Sequence, residues 1–279
     1  MDWKKIRKMD AHVHLLPETT LAWMREEDPE CWGKAEEERY LQIMKEYNVH
    51  RAVLVPINDC GTFFNDPDET NSWLGGMMKK YPDKFIAFAD VVNAGGYFHE
   101  MAPYWLEQAV EKFGLRGLKL HPSNLGMDID CLDMVPLMRK AAELDIPVMI
   151  HSYPYGRQNY ACCEPAKIHN LAKIFPDVTF IISHMGGYRW MDALGGKEYV
   201  DISTFLPELV NLYGIEQANR ILRNFGADRL IFATDYPQVY LCKPETIYET
   251  YCNILNKMDF TEEECDKIAW GNMAKLLKL

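Results

Sequence analysis

The chain has 279 residues, of which 30 are basic and 41 acidic, for a net charge of −11, and 48% of its side chains are hydrophobic. That acidic excess argues against nucleic acid or anionic membrane as a partner. No apolar run approaches the ~20 residues of a membrane span, and the opening Met-Asp-Trp-Lys-Lys-Ile-Arg-Lys lacks the apolar core of a signal peptide. Eight cysteines with no Cys-x-x-Cys pair are therefore expected as reduced thiols in a cytoplasm, with Cys162-Cys163 as loop or core thiols.

The first strand is predicted over 6–14 and closes on Met9-Asp10-Ala11-His12-Val13-His14-Leu15. Residues two apart on a strand share a face, so the imidazoles of His12 and His14 converge on one point. Neutral imidazole is the commonest protein ligand for zinc and its neighbours, which makes this pair a metal signal. The stretch 16–33, with Pro17, Trp23 and Trp32, shows no clear periodicity and is expected to form a lid. A helix is predicted over 35–47, then strands over 52–57 and 85–92, a helix over Phe98–Phe113 and a strand over 117–121. Helix 133–144, strand 148–152, helix 165–175 and strand 179–183 follow, with a stub of helix near 188–194 before strand 199–203. A helix over 208–225 and a strand over 230–234 complete the series.

Eight strands, most separated by about thirty residues, have the spacing of strand plus crossover helix. The predicted fold is a single-domain (β/α)8 TIM barrel spanning 1–279, with extra helices in 244–279 covering the outside. A doubly wound open sheet is the alternative. Catalytic groups of such barrels come from the C-terminal ends of the strands. His12 and His14 end strand one, Lys119 and His121 strand four, His151 strand five, His184 strand six and Asp235 strand eight. Five of the eight histidines thus lie at strand ends, whereas His50, His99 and His169 fall in helical or connecting segments with no chemical role expected. Burying unpaired polar groups is costly, and a coordinated cation removes that cost.

His-x-His on strand one, His on strands five and six, and Asp on strand eight resemble the amidohydrolase superfamily. The stretches Gly117-Leu118-Lys119-Leu120-His121-Pro122, Ile182-Ser183-His184-Met185-Gly186-Gly187 and Ala233-Thr234-Asp235-Tyr236-Pro237 resemble its amidohydrolase-related branch, which includes aminocarboxymuconate-semialdehyde decarboxylase. The resemblance implies that His12, His14, His151 and Asp235 ligate one divalent metal, most often zinc, with a position left for water. It further implies that His184 is a general acid/base beside that water, and that Asp235 both touches the metal and takes a proton. Lys119 shares a face with Gly117 and His121 and points inward. In binuclear members a strand-four lysine is carboxylated and bridges two metals, and His184 then serves the second. In the branch resembled here a single metal is more usual, and Lys119 instead holds a substrate carboxylate.

Connections after the strands supply the substrate contacts. Tyr153, Tyr155 and Arg157 follow strand five, and Tyr188, Arg189 and Trp190 follow strand six. Aromatic rings beside a guanidinium suit a small, flat or carboxylated substrate, with Arg189 the expected anion contact and His121 a second contact or a structural residue. The leading expectation is a metal-dependent hydrolase of a C–N or C–O bond in a small molecule. The alternative is a metal-dependent decarboxylase of a small carboxylic acid, against which stands His12, since many decarboxylases of the branch carry Glu there. A barrel that has lost catalysis and only binds is a third reading, and a homodimer is compatible with all three. No Gly-rich nucleotide loop follows a strand, and no Gly-x-Ser-x-Gly elbow is present.

Overall fold

The computed structural model describes residues 1–58, 67–91, 98–154 and 158–279. Tyr155, Arg157, Cys60 and the last residue of the third expected strand, Val92, lie outside the described residues. Among the described residues eight strands alternate with helices, and each falls within or beside its expected run. They are β1 (Lys8–Val13), β2 (Val49–Leu54), β3 (Phe85–Ala87), β4 (Leu118–Leu120), β5 (Val148–Ile150), β6 (Phe180–Ile182), β7 (Tyr199–Asp201) and β8 (Leu230–Ile231). Most are shorter than the apolar runs that announce them. In β1, β4 and β5 the ladder stops just before a histidine, at His14, His121 and His151, so those side chains stand where the backbone leaves the sheet.

The chain packs as two compact units, Met1–Leu54 with Asp201–Lys275, and Val55–Val200 with Leu276–Leu279. In the first, β1 pairs in parallel with β2, with register irregularities after Lys8 and between Asp10 and Val13. All six residues of β1 are buried, as for a strand covered on both faces. On its other edge, Ala11 N–H donates to Phe232 O at 3.0 Å, Asp235 N–H to His12 O at 2.9 Å and His14 N–H to Tyr236 O at 2.8 Å. These bonds tie β1 to β8 and to the turn after it.

Helix α1 (Glu18–Glu27) corrects the expectation of an aperiodic stretch at 16–33. It buries only Thr20, Leu21 and Met24, a stripe too narrow to stand out in the sequence. Helices α2 (Glu37–Glu46), α9 (Phe205–Phe225, broken at Gly214) and α10 (Ile247–Leu255) complete the layer around the first unit's strands. His50 lies in β2, not in a helix or connection.

The expected C-terminal helices are present. Thr261 and Glu264 close a capping box on α11 (Glu262–Asp266), and a widened π-turn over Lys267–Gly271 leads into α12 (Asn272–Leu276). Ile268 O in that turn accepts from Phe232 N–H at 2.9 Å. Asn272 Nδ2 donates to Ala227 O and Leu230 O, both at 2.7 Å, so β8 is held from its outer side.

In the second unit β4, β5, β6 and β7 pair in parallel in chain order, in registers that include Leu118↔Val148, Val148↔Phe180 and Ile182↔Val200. The ladder residues of β4, β5 and β6 are buried Val, Ile, Leu, Met and Phe, with Lys119 the polar exception at 1% exposure. Helices α3 (Pro67–Lys80), α4 (Phe98–Phe113), the short α5 (Pro122–Leu125), α6 (Met134–Glu143), α7 (Pro165–Ile174) and α8 (Trp190–Leu194) intervene. No described helix is long and apolar enough to cross a membrane. Among the described residues the cysteines at 31, 131, 162, 163, 242, 252 and 265 are free thiols.

Candidate active site

Three donors meet at the end of the first unit's strands. His14 Nε2 lies 3.0 Å and His12 Nε2 3.3 Å from the same carboxylate oxygen, Asp235 Oδ1. The two imidazoles pack edge to face with centroids 5.1 Å apart, as residues two apart on one strand must to aim at one point. Asp235 reaches them from the turn after β8 with φ of 71°, a left-handed conformation uncommon for a residue with a Cβ. The site is nearly closed, with side-chain exposures of 1% for His12, 8% for His14 and 14% for Asp235. Trp32 packs its ring 5.7 Å from that of His14, so the connection after β1 does reach the site.

The next layer contains residues that sequence reasoning missed. His12 Nδ1 stands 3.1 Å from Asp201 Oδ2 at the end of β7. An ionised carboxylate only accepts hydrogen bonds, so Nδ1 carries the proton and Nε2 turns its lone pair toward Asp235 and His14. Asp201 is itself held by Ser203, through both N–H at 3.1 Å and Oγ.

Asp10, fully buried on β1, accepts from His12 N–H at 3.1 Å and Thr234 N–H at 3.0 Å, from Thr234 Oγ1 at 2.6 Å and from the Tyr248 hydroxyl at 2.5 Å. Burial pushes its carboxyl up to about 7, while these four donors pull the other way. Asp10 thereby pins the ends of β1 and β8 beside the three donors.

The donor set fits a divalent cation. Two imidazole Nε2 atoms and a carboxylate oxygen, all within 4.8 Å of one another and largely buried, match the chemistry of zinc and related first-row metals. With lone pairs converging, a cation relieves a repulsion that burial would otherwise make severe. The carboxylate–imidazole contact behind His12 is the outer arrangement that metal-bound histidines commonly show.

A second cluster of histidines occupies the second unit. His184 Nε2 and His151 Nδ1 are 2.9 Å apart, and the His121 ring stacks on His151 with centroids 3.6 Å apart at 18°. Asn124 N–H donates to His121 Nδ1 at 3.3 Å, which assigns the proton of neutral His121 to Nε2. His184 opens a turn in which three successive residues are left-handed (φ 58°, 57° and 76° for His184, Met185 and Gly186), followed by Gly187 at φ 52°, ψ −132°. The turn buries His184 to 2% exposure and seats it edge-on to Tyr153, whose ring also meets Tyr188.

The remaining candidates fall variously. Lys119 is buried in the middle of β4, and Arg189 is half-exposed with its Nε 2.8 Å from Asp192 on α8. His169, expected to have no chemical role, places its Nδ1 2.8 Å from Glu198 Oε2.

No curated protein matches the sequence. Solved structures do. An uncharacterised TIM-barrel protein from Bordetella bronchiseptica aligns with a TM-score of 0.75 at 20% identity over 98% of this chain and 99% of its own. A 2,6-dihydroxybenzoate decarboxylase solved with 2,6-dihydroxybenzoate aligns at 0.74 and 17% identity, covering 98% of this chain and 99% of that one. The 5-carboxyvanillate decarboxylase of Novosphingobium aromaticivorans, solved with manganese and 4-hydroxy-3-methoxy-5-nitrobenzoic acid, aligns at 0.73 and 15%, covering 99% and 97%. The matching chains also include a probable 2-pyrone-4,6-dicarboxylic acid hydrolase and a 4-oxalomesaconate hydratase. Likeness at this level shows the fold, a (β/α)8 TIM barrel. The amidohydrolase family model matches residues 9–279, which contain both histidine clusters and Asp235. The chain belongs to the amidohydrolase family and is an enzyme of that superfamily.

Proposed function

We propose that this enzyme is a metal-dependent hydrolase of a small, carboxylated molecule, with a divalent cation held by His12, His14 and Asp235. The observation that carries the proposal is the meeting of two Nε2 atoms on one carboxylate oxygen, with His12 fixed from behind by Asp201. When bound, the metal supplies Lewis acidity and acidifies a water toward neutral pH. The residues do the rest. Asp201 keeps His12 in the ligating tautomer, and Asp235 offers one oxygen to the cation and is placed to accept a proton.

His151 is assigned as a further ligand by the family pattern. Its Nδ1 faces His184 Nε2 at 2.9 Å, and coordination through Nε2 is proposed. His184 is assigned as the group that moves a proton between the attacking water and the leaving group. A buried imidazole hydrogen-bonded to a second imidazole suits this, because the pair can pass a proton along its contact. Lys119 and His121 are assigned to the substrate, whose carboxylate would carry the charge opposite to the Lys119 ammonium.

The second reading, loss of CO2 from a small carboxylic acid, is favoured by the two similar decarboxylases solved with aromatic acids. Hydrolysis is preferred because the strand-one pair is His-x-His, where many decarboxylases of the branch carry Glu in the first position. Zinc-loaded protein should be offered a panel of carboxylated lactones and amides together with hydroxylated benzoic acids. Ring opening or amide cleavage without gas supports hydrolysis. CO2 release with protonation at carbon, and no hydrolytic product, replaces it with the lyase reading.

A further inference from the structure

We infer that Thr204 is a positioning residue for the metal centre, its hydroxyl holding one oxygen of Asp235 so that the other is presented to the cation. The inference rests on the metal reading of the site proposed above. Thr204 Oγ1 donates to Asp235 Oδ2 across 2.5 Å, with Gln238 O at 3.3 Å as a weaker second acceptor. The opposite oxygen, Oδ1, is the one that His12 and His14 face. An untethered carboxylate swings about its Cβ–Cγ bond and exchanges its oxygens. A short bond to the charged group suppresses that motion.

Two local departures point the same way. Thr204 occupies the N-cap of α9, where a threonine hydroxyl ordinarily accepts from the backbone N–H two or three residues on, yet it makes no capping bond. Its backbone is also left-handed, with φ 52° and ψ −49°, which is rare for a β-branched residue. Ser203 O accepts from Phe205 N–H across it, closing a γ-turn. If Thr204 served the helix alone, its hydroxyl would cap and glycine would suit the backbone better. Forgoing the cap and holding the strained turn are both accounted for by aiming Oγ1 at Asp235. Strain of this kind persists where a function over-determines the conformation.

The test compares Thr204→Ser, Thr204→Val and Thr204→Gly with the native protein. Three readouts are taken: zinc affinity by chelator competition, the visible spectrum of the cobalt(II)-substituted protein, and thermal unfolding of the metal-free form. Serine should keep zinc affinity within about threefold, whereas valine and glycine should lose about 10–100-fold and shift the cobalt bands. Glycine removes the hydroxyl while relieving the left-handed strain, so its metal-free Tm should equal or exceed the native value as affinity falls. A merely structural role would not separate the two, and the glycine variant decides the matter even where valine fails to fold. Native zinc affinity and an unshifted cobalt spectrum in Thr204→Gly would overturn the inference. Native protein that takes up neither zinc nor cobalt would overturn the metal reading itself.

Discussion

At the scale of single residues, the site divides into side chains that announce themselves and side chains that do not. His12 and His14 are legible because strand periodicity alone dictates that they share a face. Asp201 is not, because an aspartate after Tyr-Val looks like any strand exit until the imidazole behind it is seen. Asp201→Ala should weaken zinc binding by about 10–100-fold, since His12 loses the contact that fixes its tautomer. Chelator competition measures this, and native affinity would show that Asp201 serves only the packing of β7. His184→Asn should keep its zinc and lose about 10²–10⁴-fold in kcat, because asparagine fills the space but moves no proton near neutral pH. Parallel loss of metal and turnover would make His184 a ligand. The contact of Trp32 with His14 belongs to this scale too, since nothing in the sequence of 16–33 says which of its aromatics turns inward.

At the scale of elements, α3 goes unannounced, whereas the strands and the other long helices are legible within a few residues because apolar periodicity sets them. Their ends are not, since ends are decided by the polar side chains that take over from the ladder. The clearest case is the segment after β6. The dipeptide Gly186-Gly187 hints at a turn, but nothing local announces that His184 and Met185 also adopt left-handed φ. Such a run costs roughly 1–2 kcal/mol for each residue with a Cβ, so the surrounding packing must hold it. A Cβ at Gly187 would stand 3.1 Å from Tyr153 Cα on a backbone that side chains rarely adopt. Gly187→Ala should therefore destabilise the fold by about 1–3 kcal/mol and perturb the Tyr153–His184 contact. Chemical denaturation reads the first effect, and His184 proton resonances the second. Helix α1 escaped notice for the opposite reason. With three buried residues in ten it has too little apolar stripe to be distinguished from loop.

At the scale of the whole molecule, the alternation of strands and helices is strong enough in the sequence to name the fold, whereas the chemistry acted upon lies in loops whose conformation no periodicity encodes. Stability at alkaline pH offers a global test. Lys8, buried near the start of β1, donates to Ile6 O at 2.7 Å and to Tyr47 O, and burial pulls its ammonium down to about 8 from an ordinary 10.5. Between these values the unfolded chain binds the extra proton, so this residue's contribution to stability rises with pH across the window. Below about pH 8 both states are protonated and its desolvation cost is fully present. The difference in unfolding free energy between native protein and Lys8→Met should therefore shift in favour of the native chain by up to about 3 kcal/mol from pH 7.5 to 10.5. Urea unfolding at several pH values measures it. A difference that does not change with pH would mean that Lys8 stays charged throughout, stabilised by its two carbonyls.

The first unit's make-up bears on the order of events during synthesis. It joins Met1–Leu54 to Asp201–Lys275, and its outermost support comes from Ile268 and Asn272. His14 and Asp235 are separated by 221 residues, a gap that takes about 11–44 s to translate at 5–20 residues per second. Throughout that interval the nascent strand-one histidines lack Asp235, although His12 gains Asp201 before it ends, and β8 lacks its outer brace until the π-turn emerges. On the metal reading, cation capture by this set waits until Asp235 has been made, and a chain truncated before Lys267 would keep all three donors but lose the brace that holds β8 in place.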